Sequence, residues 1–197
     1  WIRSYGGPTG RGDGVAWVRD RQAAAERAGL ERPNLWCRPV WKRNAPEHQA
    51  ELGWWGMELA KRLVMSNQIP VCIIQAAIGG TRIDEHQAAP ANHADLTTMY
   101  GRMLWRVRQA RLTHGIRGIL WHQGENDMFS AAFKPKYGEN LKNFLACWRR
   151  DLKAPKLKFY IGELCTKTVW GMDNRENMYA IRAGQKAVTE SDPLAEY

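Results

Sequence analysis

Apolar positions change spacing along this chain in a regular way. From residue 46 onward, short apolar runs of strand length alternate with longer stretches of helical period. Leu52, Trp55, Leu59 and Leu63 recur at intervals of three and four, which predicts an amphipathic helix opening at Pro46 and running to about Met65. Lys61 and Arg62 suit the dipole at its end, and Asn67 closes it before a strand over 69–77. Residues 82–94 read as an irregular loop marked by Pro90 and Asn92. A second helix spans about Asp95–Thr113, with Leu96, Met99, Met103, Val107 and Ala110 on one face and Gly115 as its stop. A strand over 116–122, a helix over 136–152, a strand over 157–164 and a helix over 175–189 complete the series. In the third helix Tyr137, Leu141, Phe144, Leu145 and Trp148 face inward. Such alternation argues for a parallel sheet covered on both faces. Ahead of it, Trp1–Tyr5, Val15–Arg19 and Leu35–Trp41 read as short strands, and Arg21–Ala28 as one or two helical turns. Gly6, Gly7, Gly10, Gly12 and Gly14 mark a turn-rich connection, and no phosphate-loop motif accompanies them.

Two strand ends stand out. Ile119, Leu120 and Trp121 lead straight into His122, Gln123, Gly124, Glu125, Asn126 and Asp127. The apolar run 70–78 leads likewise into Gly79, Gly80 and Thr81. In open α/β sheets ligands sit beyond the carboxyl ends of strands, so both ends are expected to face one pocket. Gly79 and Gly80 permit positive φ and expose backbone amides, although a Gly-Gly-Thr turn by itself also reads as a plain tight turn. Asn126 offers a neutral donor of the kind that stabilises an oxyanion; equally, Asn126 or Asp127 reads as a helix cap before residues 128–133.

Composition narrows the function classes. A chain of 197 residues buries a sizeable core, most simply as one domain. No apolar run approaches the roughly 20 residues that span a bilayer, so no membrane association is expected. The formal charge is +9. Its densest basic stretch, Lys134, Lys136, Lys142, Arg149, Arg150, Lys153, Lys156 and Lys158, reads as a solvated face, and no nucleic-acid partner is expected because no recognition motif accompanies the charge. Cys37, Cys72, Cys147 and Cys165 form no Cys-x-x-Cys pair; Cys72 and Cys147 suit a core, while Cys37 and Cys165 can pair only in an oxidising compartment. His122, Glu125 and Asp127 fit no recurring metal spacing, so neither metal nor cofactor is expected. Asp84, Glu85 and His86 read either as pocket residues or as a solvated loop. Of the tryptophans, Trp55, Trp105 and Trp148 fit core faces, and Trp17, Trp36, Trp41 and Trp170 are candidate sugar platforms.

Residues 124–127, Gly-Glu-Asn-Asp, match the Gly-x-Asn-Asp block of the SGNH (GDSL-like) hydrolases. The longer match, residues 121–126 together with Ile78, Gly79, Gly80 and Thr81, resembles the sialate O-acetylesterase-like carbohydrate esterases. The stretch 53–63 before Pro70 and Val71, and residues 1–5, resemble that family as well. The resemblance implies a flavodoxin-like α/β three-layer sandwich with a central parallel sheet. It implies a serine acyl-transfer mechanism on an acetylated carbohydrate, with Gly80 or Gly79 and Asn126 forming the oxyanion hole. Thr81, His122, Gln123, Glu125 and Asp127 are then the expected substrate-binding residues. The family's Gly-Asp/Gln-Ser nucleophile segment and its Asp-x-x-His base are not in this sequence. The chain is therefore expected to be one SGNH-like domain, 1–197, incomplete at both ends. The rival readings are a catalytically silent carbohydrate-binding module of the same fold and a basic nucleic-acid-binding protein. A secreted or periplasmic location is the expectation, though no residue here decides it.

Overall fold

The computed structural model describes residues 1–7, 14–41, 49–169 and 171–197. Gly10, Gly12, the expected helix start at Pro46, His48 and Trp170 lie outside the described residues. The chain groups into two compact units, Trp1–Ile78 with Arg102–Leu112, and Gly79–Gly101 with Thr113–Tyr197.

The first unit carries β1 (Ile2–Tyr5), α1 (Gly14–Arg27), β2 (Trp36–Val40), β3 (Gln49–Glu51), α2 (Gly53–Asn67) and β4 (Val71–Cys72). It also holds residues 102–109 of α3 (Met99–Gln109). Its strands run in the order β3-β2-β1-β4. β1 pairs parallel with β4 and β2 parallel with β3, but β1 and β2 are antiparallel, a pairing that the alternation did not imply. The strand expected over Val15–Arg19 is instead the start of α1. Val18 and Ala25, seven residues or two turns apart, are its buried side chains, so helical period overrides the strand preference of Val15, Val18 and Trp17.

The helix expected from Pro46 starts only at Gly53, because residues 49–51 pair with β2 and Gly53 takes φ +67. That left-handed residue separates strand from helix. The buried face of α2 differs from the expected one: Leu52, Gly56, Met57 and Ala60 are buried, whereas Trp55 is 57% exposed and Leu63 37%. Gln68 closes α2 in the left-handed conformation, its N–H donating to the Val64 carbonyl. Only Val71 and Cys72 of the expected strand 69–77 join a ladder, and Cys72 is exposed rather than core. Beyond them the buried Arg106 donates to the Gln75 carbonyl at 2.5 Å, and burial pushes its guanidinium pKa down to about 10.

The second unit is α/β with a fully parallel sheet. It contains β5 (Gly118–Trp121), α4 (Tyr137–Asp151), β6 (Lys158–Ile161), the short antiparallel hairpin β7 (Thr168–Val169) and β8 (Met172–Asp173), α5 (Arg175–Ser191) and β9 (Ala195–Glu196). β6 pairs parallel with both β5 and β9. The inward face read for α4 stands: Tyr137, Leu141, Phe144, Leu145 and Trp148 are all buried. Phe144 bridges helix and sheet, with its ring 4.6 Å from Trp121 and 6.5 Å from Phe159. Burying a side chain such as Phe159 contributes about 1.5–3 kcal/mol. Gly138 and Gly184 let α4 and α5 meet backbone to backbone, since a Cβ on Gly138 would lie 3.2 Å from the Gly184 Cα. Arg149 then ties the end of α4 to Asp192, just past α5, through two hydrogen bonds of 2.5 and 3.2 Å. All four cysteines are free thiols.

Candidate active site

The polar end of β5 is fixed from beneath. Trp121 Nε1 donates to the Tyr137 hydroxyl at 3.2 Å, and that hydroxyl donates to the Gln123 carbonyl at 2.7 Å. Gln185 on α5 reaches the Gln123 and Gly162 carbonyls at 3.4 and 3.3 Å and accepts from the Leu164 amide. Burial, the largest of several effects, pushes the Tyr137 phenol above its ordinary value. Gly124 follows at φ +140, and a Cβ there would lie 2.7 Å from Ile181 Cγ2. A glycine is therefore required where the chain turns from strand into the site.

This turn delivers three side chains to one short backbone segment. Asn126 Nδ2 donates to the Gly80 carbonyl at 2.9 Å. Gln123 Nε2 donates to the Thr81 carbonyl at 2.9 Å and to Asp127 Oδ2 at 2.5 Å. Both Asp127 oxygens accept from the Ile83 amide, at 3.2 and 3.1 Å, where a short 3-10 turn, Ile83–His86, begins. The two motifs separated by some forty residues of chain thus form one constellation, all of it within the second unit.

Gly79 and Gly80 are exposed, and Cβ atoms built on them would meet nothing within 4 Å among the described residues. Gly80 takes φ +72, so the backbone at this open surface is one that glycine adopts without strain. Thr81 is buried and its hydroxyl lies 2.8 Å from His86 Nε2. The His86 ring packs edge-on against Trp121 at 5.3 Å. Burial is the main influence on Asp127 and pushes its carboxyl above the usual range, against the lowering effect of its bonds to Gln123 and Ile83.

His122 and Glu125 stand together, 4.0 Å apart and each roughly two-fifths exposed. His122 lies against Gly162, where a Cβ would come within 2.8 Å of its ring. Asp127 joins neither of them through a described bond, since its oxygens go to Ile83 and Gln123. Among the described residues no group of three or more His, Cys, Asp and Glu is placed to hold a metal ion.

Of the loop triad, His86 is buried beside Thr81, Asp84 takes the Arg82 guanidinium at 2.8 and 3.0 Å, and Glu85 caps the Arg82 amide. The spacing of histidines and aspartates did not reveal a separate pair, His93 and Asp151, bonded at 2.6 Å across 58 residues. Tyr100 donates to the same carboxylate oxygen, and Arg150 lies 2.8 Å from His93 Nε2. With that nitrogen facing a guanidinium donor, His93 is arranged as a structural partner rather than as a proton acceptor for a substrate. Among the tryptophans, Trp148 is buried as expected, Trp36 stands edge-on to Tyr5, Trp17 edge-on to Trp105, and Trp41 lies 5.0 Å from Trp54.

Comparison with known proteins gives the same direction. The family model described as carbohydrate esterase, sialic acid-specific acetylesterase, matches residues 23–195. A probable carbohydrate esterase of Arabidopsis thaliana is 29% identical over 98 residues, covering 49% of this chain and 35% of that protein. A solved structure of a protein from Arabidopsis thaliana has a TM-score of 0.55 at 24% identity, covering 72% of this chain and 54% of the other. The crystal structure of a carbohydrate acetylesterase from Xanthomonas citri has a TM-score of 0.58 at 16% identity, covering 99% of this chain and 49% of the other. At these identities the structures speak for the fold, and they bear out the α/β class with parallel strands. The chain spans about a third to a half of the length of these relatives. With most of its residues matched by one family model, the chain belongs to the carbohydrate esterases of the sialic acid-specific acetylesterase family.

Proposed function

We propose that this chain supplies the oxyanion-stabilising half of a serine carbohydrate O-acetylesterase. The observation that carries the reading is the bond from Asn126 Nδ2 to the Gly80 carbonyl, which sets a carboxamide donor beside an open glycine turn. A carboxamide nitrogen carries two hydrogens, and the Gly80 bond uses one of them. The other faces an oxygen bound over the turn in this reading, with the Gly79 or Gly80 amide as the proposed companion donor. Such donors, fixed before reaction, stabilise charge that develops only in the transition state.

The reaction is acyl transfer. A serine hydroxyl attacks the acetyl carbonyl while a histidine takes its proton, and the carbonyl oxygen becomes the oxyanion. Collapse expels the sugar oxygen, which takes the proton from the histidine, and leaves an acetyl-serine. Water, activated by the same histidine, releases acetate. The serine and histidine of this reaction are assigned to no residue of this sequence, which spans about a third to a half of the length of the relatives it matches. His122 and Glu125, exposed at the end of β5, are the proposed contacts to the sugar.

Steady-state hydrolysis of an acetylated sugar and of p-nitrophenyl acetate by the full-length protein tests this. Asn126→Ala is expected to lower kcat by about 10²–10³-fold with little change in KM. Undiminished turnover by that variant sinks the reading.

A further inference from the structure

The backbone from Gly80 to Ile83 is held at three successive points by side chains of residues 123–127. Asn126 takes the Gly80 carbonyl, Gln123 the Thr81 carbonyl and Asp127 the Ile83 amide. Gln123 and Asp127 are also bonded to each other. Asp127 is completely buried, and its described hydrogen bonds go to an amide and a carboxamide, not to a cation. The neighbouring Arg82 guanidinium is engaged with Asp84. A buried carboxyl without a bonded cation is costly to ionise, so packing alone would not favour one here.

The donor pattern explains why a carboxylate stands there. Ile83 N–H and Gln123 Nε2 both point donors at Asp127, and a carboxylate accepts from every direction. Asparagine would turn an NH2 group toward one of them. The same logic orients Gln123, whose nitrogen must face two acceptors, Thr81 O and Asp127 Oδ2. Its own Oε1 is buried with no hydrogen-bond partner among the described residues. Against these costs the pair ties the segment next to the glycine turn at the Thr81 carbonyl and the Ile83 amide.

We infer that Asp127 and Gln123 are positioning residues that hold the Gly80–Ile83 backbone so that the glycine turn and Asn126 meet the oxyanion in one fixed geometry. They touch protein and not substrate. This role rests on the oxyanion reading given above, and the two fail differently.

The test compares Asp127→Asn and Asn126→Ala in the full-length protein, with kcat, KM and thermal unfolding measured for each. Asp127→Asn is expected to lose about 10²-fold in kcat, as a misplacement on the order of 1 Å would produce, with KM unchanged. Unfolding stays cooperative, and the Ile83 amide exchanges faster. A raised KM with kcat retained marks a substrate contact and overturns the inference. So does undiminished turnover by Asp127→Asn beside a crippled Asn126→Ala, which leaves the oxyanion reading standing. Undiminished turnover by Asn126→Ala overturns both. If Asp127→Asn does not fold, Gln123→Met decides: it removes both donated bonds without adding a charge. A fall in its kcat alone supports the inference, and an unchanged kcat overturns it.

Discussion

Asn126 and Gly80 are joined by a side-chain to backbone hydrogen bond of 2.9 Å across 46 residues of chain. The bond makes the conformation of the glycine turn part of the site. Gly80 holds φ +72 with open space where a side chain would project. In Gly80→Ala only the backbone is strained, at a cost of about 1 kcal/mol. Thermal unfolding should show that small loss, while kcat falls by more than the stability change accounts for. Gly79 has neither a positive φ nor a close neighbour, so Gly79→Ala should leave unfolding within about 0.5 kcal/mol of wild type.

Gly124 presents the opposite balance. Its φ is +140, and a Cβ would lie 2.7 Å from Ile181 Cγ2 and 3.3 Å from Leu164 Cδ2. Both neighbours are fully buried, so neither has room to withdraw. Gly124→Ala is expected to destabilise by roughly 2–4 kcal/mol, strain and overpacking together. Denaturant unfolding checks this, and a midpoint like that of wild type would contradict the packing described.

The Arg149–Asp192 pair predicts an acid-sensitive join between α4 and the segment after α5. Burial pushes the Asp192 carboxyl up, but its bonds to Arg149 and to the Leu194 amide outweigh that, and the net shift is downward. A folded pKa below the unfolded value means the stabilisation is fully present above the unfolded value, about 4, and is lost as pH falls through the folded one. Wild type and Asp192→Asn should therefore differ in unfolding free energy at pH 6 and converge as pH falls below the folded pKa. A difference that persists at low pH would rule out the carboxylate as its source.

Local pattern determined much of this protein. The inward face of α4 follows from its period, since Tyr137, Leu141, Phe144, Leu145 and Trp148 repeat on one side of a helix wherever the helix is placed. The parallel pairing of β5 with β6 follows from strands separated by a helix. The two strand ends were legible because one apolar run stops abruptly at Gly79 and the other at His122, with Gly124 two residues on. Tertiary structure decided the rest. α1 replaced a strand, the pairing of residues 49–51 with β2 and the left-handed Gly53 put the start of α2 at Gly53, and packing turned Trp55 outward. Thr81, Gln123 and Asp127, polar and expected to meet substrate, were given protein partners. His93 found Asp151 across 58 residues. Periodicity reports which face of an element turns inward, but a hydrogen bond between distant residues depends on how the loops between them close, and spacing along the chain carries no record of that.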